Sequence, residues 1–324
     1  MVSESTPENL PDFLIVGAPK AGTTALHDAL KQHPDLFLTD PKEPKYFLTG
    51  GSRPRRENHR GPGDAHSSKE WIWQRDRYEA LFADAPRGSV RGESTPFYLW
   101  DLEAHARLKA TVPDVKMIVV LRDPIDRAYS NWTHLWCDGL EPERDFGAAC
   151  EREEDRIRDG YAPFWRYLDL GRYGAQLSHL YEHFDRDRVQ VLRYRQLIDS
   201  PAATLNSIAE FLGVSGGSIS RIPPSNVTPW VTPSRTNLAL QRTVRAGARA
   251  GAYFPPKAWR RASRPLLAAL HRSDLARPAM DPRVRERLIP KIADDVAVLQ
   301  ELTGESYDDW LDGEGPVTYT VRRS

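Results

Sequence analysis

Four apolar residues in a row, Phe13-Leu14-Ile15-Val16, end at Gly17, and after a short polar turn Ala25, Leu26, Ala29 and Leu30 recur at helical spacing. The first run predicts a buried parallel strand, the second one face of a helix led in by Gly22-Thr23-Thr24. The same rhythm returns at Val115–Leu121, which turns at Arg122-Asp123-Pro124 into a helix with Asp123 as N-cap and Pro124 at the first helical position. Ser89–Gly92 predicts a strand before Glu93-Ser94-Thr95-Pro96, and Val189–Leu192 another. An amphipathic helix carrying Tyr173, Leu177, Leu180, Tyr181 and Phe184 precedes the latter. Ser200, Pro201 and Gly213 punctuate a helix faced by Leu205, Ile208, Ala209 and Leu212. Val284 to Leu302 is helical by period and stops at Gly304, with Pro290 expected to kink or split it. Gly50–Lys69 and Gly213–Pro256 read as long loops, the second with one short regular run around Leu238.

Strands alternating with helices predict an α/β fold, a central, mostly parallel sheet with helices on both faces. At 324 residues, 40% hydrophobic and 28% charged, the chain reads as one globular domain over 1–324 with a flexible polar start over 1–11. The 45 basic and 45 acidic residues cancel, so no overall field draws the chain to nucleic acid or an anionic membrane, and any anion site is local. Cys137 and Cys150 form neither a CxxC pair nor a metal spacing, and the apolar run Phe13–Val16 is too short for a signal h-region or a membrane span. A reducing, cytoplasmic setting and a metal-free site are expected. Oligomeric state is left open.

Gly17-Ala18-Pro19-Lys20-Ala21-Gly22-Thr23-Thr24 joins a strand to a helix, where backbone N–H groups and the helix start make an anion cradle. A nucleotide triphosphatase loop has lysine directly after its second glycine. Here Thr23 holds that place and the lysine lies earlier, at Lys20. The strand Val119-Val120-Leu121 ends in Arg122, which suits a phosphate and not Mg²⁺. A sulfuryl group carries less charge than a γ-phosphoryl group, so a lysine with backbone donors suffices for its departing phosphate. An ordinary helix-capping turn is the plain alternative for the loop. A strand-end salt bridge and a surface helix serine are the plain alternatives for Arg122 and Ser130, which otherwise suit a phosphate monoester.

Together, Pro19–Thr24 and Arg122-Asp123-Pro124-x-x-Arg127-Ala128-Tyr129-Ser130 resemble the 5′-phosphosulfate loop and 3′-phosphate motif of the 3′-phosphoadenosine 5′-phosphosulfate (PAPS)-dependent sulfotransferases. The likeness continues through Gly171-Arg172-Tyr173, Tyr194, Phe211-Leu212-Gly213 and Trp310-Leu311. His33-Pro34-Asp35 followed by Lys42-Glu43-Pro44-Lys45-Tyr46-Phe47 is similar to the heparan-sulfate-type and bacterial carbohydrate or natural-product variant.

The resemblance implies a P-loop-like fold and PAPS as donor, with adenosine 3′,5′-bisphosphate (PAP) as product. It implies that Lys20 stabilises the leaving phosphate and that Ala21, Gly22, Thr23 and Thr24 bind the 5′-phosphate. Arg122 and Ser130 would hold the 3′-phosphate, Tyr194 would lie near the adenine or pack in the core, and Arg235 or Arg221 would close on the nucleotide. Glu43 is the implied general base, with Glu93 as rival base or substrate contact; Ser94 stands where a lysine is common and Arg195 where an acid is common. His27 and His134 read as surface or packing residues. Trp132 and Trp136, with Phe164, Trp165 and Tyr167, suit acceptor stacking or core packing, and Arg53, Arg55, Arg56 and Arg60 an anionic acceptor or plain solvation. The partner implied is a carbohydrate or small-molecule acceptor. A metal-dependent phosphotransferase and a non-catalytic nucleotide binder on the same fold are the competing readings.

Overall fold

The computed structural model describes residues 9–54, 71–223, 229–251, 256–272 and 275–313. Arg55, Arg56, Arg60 and residues 1–8 lie outside these. In chain order the elements are β1 (Phe13–Gly17), α1 (Thr23–Leu30), β2 (Leu36–Leu38), α2 (Arg75–Ala80), β3 (Val90–Ser94), α3 (Leu102–Thr111), β4 (Lys116–Leu121), α4 (Pro124–Cys137), α5 (Phe146–Glu151), α6 (Glu153–Arg158), α7 (Tyr173–Tyr181), β5 (Val189–Arg193), α8 (Tyr194–Asp199), α9 (Pro201–Leu212), α10 (Arg235–Gly251), α11 (Pro256–Leu270) and α12 (Pro282–Thr303). They fall into two compact units, one drawn from Met1–Pro54, Glu70–Arg122 and Gln176–Ser225, the other from Arg55–Lys69, Asp123–Ala175 and Asn226–Ser324.

The first unit holds a five-stranded sheet in the order β2-β3-β1-β4-β5, with every pairing parallel. β1 is central, and all five of its residues are buried. This is why its sequence is apolar throughout and not alternating. Gly92 of β3 admits the Phe13 ring of β1: a Cβ there would lie 2.2 Å from Phe13 Cζ. Because the strands are parallel, the C-terminal ends of β1, β3, β4 and β5 share one edge of the sheet, the usual place for a ligand in such folds. β3 runs on through Glu93 and Ser94, two residues beyond the predicted strand. β2 was not predicted, since three residues carry no period of their own.

In the second unit, α4 starts as its sequence predicts. Asp123 Oδ1 accepts from the backbone N–H of Ile125 (2.8 Å) and Asp126 (2.9 Å), with Pro124 at the first helical position. Arg285 of α12 lies with Nη2 2.5 Å from Asp123 Oδ2, both side chains buried. Glu141, fully buried, accepts from Arg156 at 2.8 and 3.0 Å and from the Tyr167 hydroxyl.

Two expectations are corrected here. α10 is a 17-residue helix where only a short run around Leu238 was predicted. Its buried positions Gln241, Val244 and Ala248 lie on one face, but a polar and two small or β-branched residues carry little hydrophobic period. Of the kink or split expected at Pro290, the split does not occur: α12 continues from Pro282 to Thr303. Pro290 and Glu286 are both exposed, so the carbonyl freed by the missing N–H is on the solvent side of the helix. α9 ends at Gly213 (φ 84°) as predicted, whereas Ser200 sits at its N-cap position without a side-chain capping bond.

Candidate active site

All the chemistry that can be placed in one frame belongs to the first unit, where four strand ends meet. After β1 the chain turns through Ala18–Gly22 into α1. The turn is tied to the sheet by Ala18 N–H donating to Val120 O (2.8 Å) and closed by Ala21 N–H donating to Ala18 O (3.2 Å). Lys20 takes a left-handed backbone, φ 67°, and so does Gly22, φ 85°. At Gly22 this freedom is doubly required: a Cβ would lie 2.7 and 2.9 Å from two ring carbons of Tyr194. Thr23 is buried and Thr24 is exposed at the start of α1.

Arg122, at the end of β4, donates from Nη1 to Lys20 O (3.2 Å) and lays its guanidinium over the Tyr194 ring, 5.0 Å from its centroid. Tyr194 starts α8 directly after β5. It is half-buried, with Gly22 and Arg122 against its ring. The structure thereby joins the lysine loop, Arg122 and Tyr194 into one assembly. Arg195, the unexplained departure, pairs with Asp199 one turn on (3.2 Å).

Glu43 and Glu93 differ in kind. Glu43 lies in the segment after β2, with φ 60°, and its N–H donates to Ser94 O (3.0 Å). Its carboxylate, 21% exposed, lies 2.8 Å from Lys42 Nζ and 3.8 Å from Lys45 Nζ. Glu93 is 0% exposed. Its Oε1 accepts from the Tyr98 (2.8 Å) and Tyr78 (3.1 Å) hydroxyls, and its Oε2 from the Thr95 hydroxyl (2.8 Å). Burial pushes the Glu93 carboxyl up to about 7, against the opposing pull of those three hydrogen bonds.

Sequence reasoning missed the donors Tyr78, Tyr98 and Thr95, whereas His27, read there as a surface or packing residue, is a packing one. His27 is buried, its Nδ1 2.8 Å from Ser94 Oγ, and burial followed by the Lys42 charge lowers its pKa to about 4. The clue available in sequence was its phase: it falls on the same face of α1 as Thr23, Leu26 and Leu30, all buried.

Ser130, Trp132, Trp136 and Arg235 belong to the second unit. Ser130 is half-buried in the middle of α4, and Arg235 is exposed at the first position of α10. Trp132 and Trp136 are 4% and 2% exposed and stack at 6.0 Å. Their indole N–H groups donate to Glu143 O (3.0 Å) and Val231 O (2.8 Å). That is core packing of the unit, which is how one of the two expectations described them. Among the described residues no group of His, Cys, Asp and Glu is arranged to hold a metal, and no helix is long and apolar enough to cross a membrane.

A family model described as "Sulfotransferase family" matches residues 11–216. The chain is 29% identical over 212 residues to heparan sulfate glucosamine 3-O-sulfotransferase 3B1 of Homo sapiens, covering 65% of this chain and 48% of that one. It is 28% identical over 229 residues to bifunctional heparan sulfate N-deacetylase/N-sulfotransferase 4 of Mus musculus, covering 65% and 23%. The chain thus spans less than half the length of these curated relatives. A solved sulfotransferase from Alicyclobacillus acidocaldarius shares the fold, with a TM-score of 0.70 and 29% identity over 94% of this chain and 99% of that one. The match covers the lysine loop, Arg122, both carboxylates and all five strands, and the chain belongs to the sulfotransferase family.

Proposed function

We propose that the protein transfers a sulfuryl group from PAPS to a hydroxyl or amine of a carbohydrate or small-molecule acceptor. The observation that carries this reading is the Lys20 loop joined to Arg122 and Tyr194. A lysine held on a left-handed backbone, the N–H groups of a strand-to-helix turn and a guanidinium on an aromatic face concentrate anion-binding groups at one sheet edge. In this reading Ala21–Thr24 receive the 5′-phosphate and Arg122 the 3′-phosphate. Ser130 and Arg235 enter from the sequence motif alone, and Tyr194 supports Arg122 and Gly22.

The acceptor O–H or N–H gives its proton to the Glu43 carboxylate as the acceptor atom attacks sulfur. The bond from sulfur to the bridging oxygen breaks on the opposite side, and Lys20 stabilises the charge left on the departing phosphate. Glu43 is preferred to Glu93 as base on a physical ground. Glu93 has both oxygens occupied by hydroxyl donors and no exposed surface, whereas Glu43 retains exposed carboxylate.

Calorimetry with PAP and with ATP–Mg²⁺ tests the donor. Tight PAP binding that survives EDTA is expected, and preference for ATP–Mg²⁺ would refute the reading. With an acceptor found by screening against PAPS, Glu43→Gln should cut turnover at least a hundredfold with PAP affinity unchanged. The same loss in Glu93→Gln, with Glu43→Gln active, would move the base to Glu93.

A further inference from the structure

Glu93 is the most deeply buried carboxyl of the first unit that the proposed chemistry leaves without a task. Its three hydroxyl partners have one proton each, and all three bonds run toward the carboxylate. A hydroxyl that donates its proton has only lone pairs left to offer. Thr95 Oγ1 offers its own to the backbone N–H of Lys45 (3.3 Å), and Tyr98 Oη offers its own to the backbone N–H of Phe47 (3.4 Å). Both contacts are long for hydrogen bonds, so each depends on the hydroxyl keeping this orientation. The rings repeat the connection: Tyr46 stacks on Tyr78 at 4.3 Å, and Phe47 meets Tyr78 and Tyr98 edge-on at 5.5 and 5.4 Å.

The segment so gripped needs gripping. Glu43 and Lys45 both have positive φ, 60° and 62°, a conformation that costs an L-residue about 1–2 kcal/mol each. We propose that Glu93 is the positioning residue for Glu43. As a carboxylate it accepts the protons of Thr95, Tyr98 and Tyr78, fixes the orientation in which the first two accept from Lys45 and Phe47, and thereby holds the left-handed segment that carries the base. This rests on the assignment of Glu43 as base. It adds that the grip is an ionic one: a neutral side chain at 93 must place a proton of its own on at least one hydroxyl, whose own proton then loses its buried acceptor, so that hydroxyl is no longer held in the orientation that serves its amide.

The grip is therefore sensitive to pH near 7, where Glu93 takes up a proton. The groups facing it are the Tyr78 and Tyr98 hydroxyls, both pushed well above their ordinary range by burial, the Glu43 carboxylate, and Lys42 and Lys45 beside Glu43. Oε2 accepts from Thr95, so protonation there makes Oε2 the donor, leaves the Thr95 proton without its buried acceptor and frees that hydroxyl to turn away from Lys45 first.

Amide hydrogen exchange of the full chain, corrected for intrinsic rates, reads this directly. In the wild-type protein at pH 8 the Lys45 and Phe47 amides should be at least tenfold more protected than in Glu93→Gln. Their protection should fall as pH drops through about 7, and the variant's should stay flat. Thr95→Val should release Lys45 alone and Tyr98→Phe should release Phe47 alone, which keeps the test open if Glu93→Gln fails to fold. Glu93→Asp, which restores the charge, should recover part of the protection. Wild-type protection of both amides in Glu93→Gln, or release of neither in the two relay variants, overturns the proposal. PAP binding is measured on the same samples. If the wild-type protein does not bind PAP, the donor assignment falls while the exchange result still decides the role of Glu93.

Discussion

Replacing Gly22 by alanine separates two costs that the structure places on one atom. The backbone φ of 85° alone charges an L-residue about 1–2 kcal/mol. The new methyl would stand 2.7 and 2.9 Å from Tyr194 Cε2 and Cδ2, about 1 Å inside normal carbon–carbon contact, so the ring must move by about that much. It cannot move alone, because the Arg122 guanidinium rests on it at 5.0 Å and Arg122 in turn holds Lys20 O at 3.2 Å. Losing the cation–π contact adds about 0.5–1 kcal/mol. Urea unfolding should therefore show a loss of roughly 1.5–3 kcal/mol. The backbone strain is present with and without ligand, so it does not enter the affinity. Displacement of Tyr194 and Arg122 does, and PAP binding should weaken at least tenfold. The decisive comparison is Gly22→Ala in a Tyr194→Ala background, where the ring is gone and only the strain remains. If Gly22→Ala costs the same in both backgrounds, to within about 0.5 kcal/mol, the ring contact is not what requires glycine and the linkage of loop, tyrosine and arginine is refuted.

Asp123→Ala removes the cap of α4 and leaves the buried Arg285 without its closest carboxylate. A destabilisation of about 3 kcal/mol is expected in urea unfolding, and Arg285→Met in the same chain should recover part of it. Folding depresses the pKa of His27 from 6.5 to about 4. Its contribution, up to about 3 kcal/mol for a shift of this size, is present above pH 6.5 and lost as pH falls through 4. His27→Gln should flatten unfolding free energy between those limits, and an unchanged slope would show that His27 is not buried neutral.

What could be read from the sequence is what local chemistry encodes. β1 with α1, β4 with α4, and α9 each combine an apolar run of the right length with its own punctuation: Gly22, Asp123-Pro124, and Pro201 with Gly213. The two segments that bring anion-binding groups to the sheet edge are punctuated in this way, so Lys20 and Arg122 were legible before the strand order was known. β2 and α10 were not, because three residues cannot show a period and because a buried face of Gln241, Val244 and Ala248 is not conspicuously apolar. The environment of Glu93 was beyond reach for a different reason. Its donors come from 15 residues before and two and five residues after, and the amides it governs lie about 50 residues upstream. Nothing in the order of residues states that Thr95 and Tyr98 will face Lys45 and Phe47; only the parallel pairing of β3 with β2 and β1 does.

Among the described residues, three that are not glycine have a left-handed backbone, and they are Lys20, Glu43 and Lys45. Strain of this kind, about 1–3 kcal/mol per residue, persists only where surrounding contacts over-determine it. Each of the three is so determined: Lys20 by the turn tied to Val120 and by Arg122, Glu43 by its N–H on Ser94 O, and Lys45 by Thr95 under Glu93. Relaxation at Lys20 or Glu43 would relieve strain and cost the fold little packing, since both retain exposed surface. A fold that holds a cation and a carboxylate in costly conformations at one sheet edge is maintaining their positions for some purpose other than its own stability. Sulfuryl transfer needs one group at the leaving oxygen and one at the acceptor proton, and Lys20 and Glu43 are of the right kind for those two tasks. The strained backbone therefore supports the same pair that the motifs selected, by a route that owes nothing to the motifs.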